Sequence, residues 1–108
     1  MSIQTEEPVV QVTVSTAEAL AYLKKFARSN DRLAEQLKQN VVNPIMLAKV
    51  AEVVPQMIYN YIRSGAIKAF ENDTQKKVIN VDDAVEFLRS RFERQAREAA
   101  KITAQLAS

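Results

Sequence analysis

The chain has 108 residues, a formal net charge of +2, 47% hydrophobic and 26% charged residues. That length allows one domain with a modest core, and that charge is too small for a polycation that coats nucleic acid indiscriminately, so any attraction to phosphate must come from local clustering. The absence of His and Cys excludes the usual zinc sites, thiol catalysis, Ser-His or Cys-His nucleophile pairs and disulfides.

Residues 1–14 read as a flexible tail and a short strand. Residues 1–8 are polar, acidic and end in Pro, whereas Val10, Val12 and Val14 alternate with Gln11, Thr13 and Ser15, the period of a strand. Its partner is left open: the hairpin further along, another subunit, or none. Ser15 and Glu18 form a capping box, and the helix it opens is expected to occupy 15–40, ending near Lys38. Ala19, Leu23, Phe26, Leu33 and Leu37 share one stripe of this helix, with Asn30 in the same stripe as a polar register mark.

Asn43 and Pro44 supply an N-cap and a favourable first helical residue, and Leu47, Val50 and Ala51 give the next helix its apolar face. A second start follows at Pro55, with Ile58, Tyr61 and Ile62 facing inward. Gly65, the single glycine, stands where a helix stop favours a left-handed residue. Residues 66–70 and 78–80 read as strands joined by a polar tip at 71–77. Asn80 then caps a last helix whose first turn carries Asp82 and Asp83.

That last helix has neither Gly nor Pro from Val81 to the end. Val85, Leu88, Phe92, Gln95, Ala99, Ile102 and Leu106 recur at alternating spacings of three and four, a heptad seam. The expectation is that Val85, Leu88, Phe92, Ala99, Ile102 and Leu106 pair with long helices, within or between subunits, alongside Leu23, Phe26, Leu33 and Leu37. Arg89, Arg91, Arg94, Arg97 and Lys101 are interleaved with Glu93 and Glu98, which reads as a solvated face with intrahelical ion pairs.

With Ile58, Tyr61 and Ile62 inward, helical geometry turns Gln56, Met57, Tyr59, Asn60 and Arg63 outward. Gln and Asn can bond an adenine edge, Met can touch a thymine methyl, and Arg can pair with guanine or phosphate. Lys76 and Lys77 at the hairpin tip, with Lys68 before it, are candidate phosphate contacts, although lysines at such a tip also serve solubility and edge protection. No Gly-rich phosphate loop exists, and Asp82-Asp83 suits a helix start better than acid/base work, so no enzyme is expected.

Residues 47–88 resemble the excisionase/MerR-type winged helix-turn-helix. Tyr59-Asn60-Tyr61-Ile62-Arg63-Ser64-Gly65-Ala66-Ile67 carries the resemblance best, and Val78-Ile79-Asn80 followed by Asp83-Ala84-Val85-Glu86-Phe87-Leu88 is similar to that family's wing exit and closing helix. The chain departs from the family at Glu52, where Gly is common in the turn, and at Val54, where Ser or Thr commonly caps the recognition helix. The resemblance implies a winged helix-turn-helix at 43–90; with the N-terminal helix at 15–40 and the oligomerising extension at 91–108, which lie outside it and are read from capping and periodicity, the expected fold is mainly α with a small β wing. It implies double-stranded DNA as partner, without catalysis, metal or cofactor, for a small transcriptional regulator or excisionase-like architectural factor. A homo-oligomer, with a dimer favoured, is expected in the cytoplasm of a bacterial or phage-infected cell, with no membrane association. Two other readings stay open: a small-terminase-like packaging factor, and a protein-interaction module that docks on a host protein without reading DNA.

Overall fold

The computed structural model describes residues 12–107. The tail expected at 1–8, and Val10 of the expected strand, lie outside the described residues. Val12 and Val14 are not in a strand; instead the Val14 N–H donates to Glu93 Oε2 at 3.2 Å.

Helix α1 (Thr16–Ala27) starts where the capping box places it, with Ser15 Oγ accepting the Glu18 N–H at 3.1 Å. The single helix expected over 15–40 is two. Arg28–Ser29 turns, Asn30 adopts an extended backbone (φ −142°, ψ 95°), and α2 (Asp31–Lys38) begins from it. Asn30 Oδ1 accepts the Leu33 N–H at 3.1 Å, and its Nδ2 lies 3.6 Å from Met46 Sδ. Asn30 is therefore a half-buried helix cap rather than a polar member of a helical seam. Asn side chains compete for backbone N–H groups, and here that competition breaks the helix.

Asn40 takes a left-handed φ of 60° and leads into a two-residue strand, β1 (Val41–Val42). Helix α3 (Pro44–Ala51) follows from Asn43, whose Oδ1 accepts the Met46 N–H at 2.7 Å, with Pro44 in the first turn. Helix α4 (Pro55–Ser64) ends at Gly65, whose φ of 85° costs an L side chain but not glycine. The hairpin is β2 (Phe70–Glu71) and β3 (Lys77–Asn80), narrower on its first strand than expected. Helix α5 (Val81–Ala107) leaves directly from Asn80.

The protein is mainly helical, with a small antiparallel sheet of order β1-β3-β2 and a long C-terminal helix. Val41 faces Asn80 and Val42 faces Ile79; on the other side Phe70 faces Val78 and Glu71 faces Lys77. β1 thus covers the hairpin edge that the Val10–Val14 segment was a candidate to cover. Leu23, Leu33, Val42, Leu47, Val50, Ile58, Ile79 and Leu88 are fully buried, so α1 to α5 and the sheet all contribute to one core. Edge-to-face packing of Tyr22 on Phe92, with centroids 4.9 Å apart, fixes α1 along α5. Beyond Glu93 the side chains of α5 are mostly exposed, and the radius of gyration of 17.2 Å exceeds the roughly 13 Å of a compact domain of similar length because that helix projects.

Candidate nucleic-acid interface

The α3–α4 turn determines how α4 is presented. The Glu52 N–H bonds to Lys49 O at 3.3 Å and the Val53 N–H to Ala48 O at 3.0 Å, with Glu52 in the left-handed region (φ 58°, ψ 45°). These are the two bonds of a Schellman stop, and its glycine position is filled here by Glu52. Arg91, reaching across from α5, donates from Nε to Ala51 O at 3.0 Å and so satisfies a carbonyl at the negative end of α3. Val54, 66% exposed, makes no side-chain cap, and Pro55 in the first turn has no N–H to satisfy.

On α4, Ile58 is buried while Tyr61 and Ile62 are half-buried against the core, which leaves Gln56, Asn60 and Arg63 exposed. Met57 and Tyr59 are half-buried and flank that face. Gln56 Nε2 donates to Asn60 Oδ1 at 3.1 Å. The two amides are held together one helical turn apart, and the pair keeps free donors on Asn60 and a free acceptor on Gln56.

The hairpin tip is ordered by one side chain. Asn72 Oδ1 accepts from the Thr74 N–H at 3.0 Å, the Thr74 hydroxyl at 2.7 Å and the Lys76 N–H at 3.0 Å. Gln75 takes a left-handed φ of 61°, and the Asn72 N–H bonds to Lys76 O at 2.9 Å. Lys76 and Lys77 are exposed at the end of this hydrogen-bonded turn, as is Lys68 before it. Sequence reasoning passed over Asn72, although an Asn-Asp-Thr tip is the composition that forms such side-chain turns.

The residues expected to oligomerise divide sharply. Leu23, Leu33, Val85 and Leu88 are buried inside the single chain, and Phe26, Leu37 and Phe92 pack against the same core. Their apolar surface is spent on the fold. Ala99, Ile102 and Leu106 remain outside it, with Ile102 57% and Leu106 83% exposed.

The charges of α5 are also unequal. Glu93 accepts from Arg89 at 2.9 Å and from Arg97 at 3.3 Å, and Arg89 chelates Glu86 as well. The Arg89 hydrogen bonds hold the Glu86 carboxyl below its ordinary pKa, against an opposing cost of desolvation; in return they raise that of Arg89. Among the described residues only Lys38, Arg89 and Arg97 are cations in ion pairs, so Arg63, Lys68, Lys76, Lys77, Arg94 and Lys101 are among those that form none. An open groove of about 350 Å³ lies between the end of α4 and α5, with Tyr61 and Phe87 in ring contact at 5.6 Å and Lys68 and Arg94 among its walls.

Among the described residues, no group of acidic side chains is placed to hold a metal ion, and no helix is long and apolar enough to cross a membrane. The chain matches no family model, no curated protein and no solved structure.

Proposed function

We propose that this protein binds double-stranded DNA sequence-selectively and without catalysis, as a winged helix-turn-helix module. In this reading α3 and α4 form the helix-turn-helix, β2 and β3 the wing, and α5 the closing helix. The role is that of a small cytoplasmic transcriptional regulator or an excisionase-like architectural factor, working as a homo-oligomer. One observation carries the reading. A helix held by a Schellman turn presents Gln56, Asn60 and Arg63 to solvent, in a chain whose following hairpin ends in a hydrogen-bonded tip with two lysines outside any ion pair. A helix so presented can enter a major groove, and tip lysines can position on phosphate or a flanking minor groove.

A salt-titrated binding assay on mixed genomic fragments tests it. Asn60→Ala is expected to cost roughly 1–3 kcal/mol at the best site and little on random DNA, because base discrimination is lost. Replacing Lys76 and Lys77 by Ala is expected to weaken all sequences alike and to lower the salt slope by about two. No retention of any duplex at low salt would sink the reading.

A second reading is favoured by a specific observation. Arg63 is the single cation on α4, while Val54 at its start is 66% exposed and Ile45 in the first turn of α3 is 46% exposed. An apolar, cation-poor surface suits a protein partner better than phosphate. Under that reading Val54→Asp abolishes partner capture, and Asn60→Ala leaves activity unchanged.

A further inference from the structure

The wing and the α4 face account for Arg63, Lys68, Lys76 and Lys77, but not for Arg94 and Lys101 of α5; Arg91, the other α5 cation without an ion pair, is engaged by Ala51 O. Along that helix the ion pairs are concentrated on Glu86 and Glu93, which engage Arg89 and Arg97. Arg94 and Lys101 are exposed and form no ion pair among the described residues. They are seven residues apart, two turns of helix, which puts them on one face about 10 Å from each other. The same face carries Phe87 and Ser90, and these two line the groove together with Arg94. Across that groove stand Tyr61 of α4 and Lys68 of the segment leading to the wing. Lys68, Arg94 and Lys101 therefore run from beside the proposed recognition helix outward along α5, with the exposed Glu98 between the last two.

We propose that α5 is a second DNA-contacting element, in which Arg94 and Lys101 follow the phosphate backbone of the duplex that α4 engages. This rests on the DNA-binding reading and extends the footprint beyond α4 and the wing. Two acids share the groove lining, Asp83 and Glu86. Glu86 is neutralised by the two hydrogen bonds from Arg89, and Asp83 lies in the first turn of α5, where the positive helix end offsets its charge. The repulsion they offer to a phosphate is thereby reduced at the Arg94 end, and Lys101 stands two turns beyond it. The apolar seam of α5 lies on another face, since Phe92, Ile102 and Leu106 are turned away from Arg94 by roughly a quarter to half of the circumference. Self-association and phosphate contact can accordingly occur together.

The experiment compares the full chain with Arg94→Gln/Lys101→Gln and with Lys24→Gln/Lys25→Gln, a control that removes the same charge from α1. Gln preserves helix propensity at these exposed positions, and thermal melts establish that each variant is folded. The probe is a mixed-sequence duplex of about 30 base pairs, titrated from roughly 50 to 200 mM salt, over which each phosphate contact contributes about 0.9 to the slope. Two lost contacts lower the slope by about 1.8, so the fall in affinity over that fourfold range becomes about twelvefold smaller than in the parent. The control is expected to keep the parent slope. An unchanged slope in Arg94→Gln/Lys101→Gln overturns the proposal, as does an equal drop in the control, which would signify diffuse charge alone. If the wing variant loses affinity for this duplex while the α5 variant does not, the inference falls and the DNA-binding reading stands. If the parent binds no duplex at low salt, both fall.

Discussion

Replacing Glu52 by Gly probes the turn on which the presentation of α4 depends. Glu52 is held at φ 58°, ψ 45° as the left-handed residue of the α3 stop. A side chain in that region costs roughly 1–2 kcal/mol relative to the right-handed one, because Cβ crowds the following carbonyl. Glycine removes that cost but adds unfolded-chain entropy of about 0.4–1 kcal/mol. The Glu52 side chain is exposed and makes no ion pair among the described residues, so its removal subtracts little else. The net expectation is a stabilisation of about 0.5–1 kcal/mol, or roughly 2–8 °C in melting temperature for a chain of this size. Urea denaturation measures it as a raised midpoint with an unchanged m-value. Glu52→Ala keeps Cβ and should change stability by only a few tenths of a kcal/mol, which separates the backbone effect from the side chain. Asn40→Gly, at φ 60°, should gain less than Glu52→Gly because Asn already tolerates this region. A lowered midpoint for Glu52→Gly would mean that the turn is not left-handed at this residue, and the orientation of α4 argued from it would go too.

Arg91→Gln removes the charged donor to Ala51 O at the end of α3 and should destabilise by about 1–2 kcal/mol; a midpoint within experimental error of the parent would show that the clamp is idle. Between about pH 5 and 8 stability should be flat, because no unperturbed side chain of this composition titrates there. Glu86 has a lowered folded-state pKa, so its contribution is complete above the unfolded value of roughly 4.3 and is lost as the pH falls through the folded one. A transition near neutrality in a pH-dependent melt would contradict both statements. Ile102→Glu with Leu106→Glu should abolish self-association while leaving the melting temperature nearly unchanged, since both side chains lie outside the core; identical sedimentation of variant and parent would refute the seam as an interface.

What could be read from the sequence was local chemistry. Ser15, Asn43, Pro44 and Gly65 each end or start a helix through groups within a few residues, and the structure uses each for that purpose. Gln56, Asn60 and Arg63 were legible as exposed for a related reason, being opposite Ile58, Tyr61 and Ile62, whereas Met57 and Tyr59, expected outward with them, are half-buried. Strand β1 was not legible: two residues carry no period, and their partners lie at Ile79 and Asn80, far along the chain. The break at Asn30 was hidden because α1 and α2 both bury apolar residues, so Leu23 and Leu33 read as one stripe although Asn30 caps a new helix between them. The seam of α5 shows the same limit. Spacing says which residues share a face, but not that Val85 and Leu88 are covered by the chain's own core while Ile102 and Leu106 are not.

Glu52 joins these two kinds of information. By local rules it is a poor choice for the turn, and a reading confined to residues 47–54 would make the turn longer or differently shaped. The structure keeps the tight Schellman geometry because other contacts over-determine it. Val53 packs against the core as its N–H closes the larger ring on Ala48 O, and Arg91 binds Ala51 O from a helix that begins 30 residues later. A cost of about 1–2 kcal/mol at one backbone position is small beside such a set of contacts. The same reasoning says where the strain is exposed. Once Arg91 is lost, the turn is freer to relax away from the left-handed Glu52, so Glu52→Gly should recover less stability in an Arg91→Gln background than in the parent. Equal gains in the two backgrounds would show that the clamp and the turn do not act on one another.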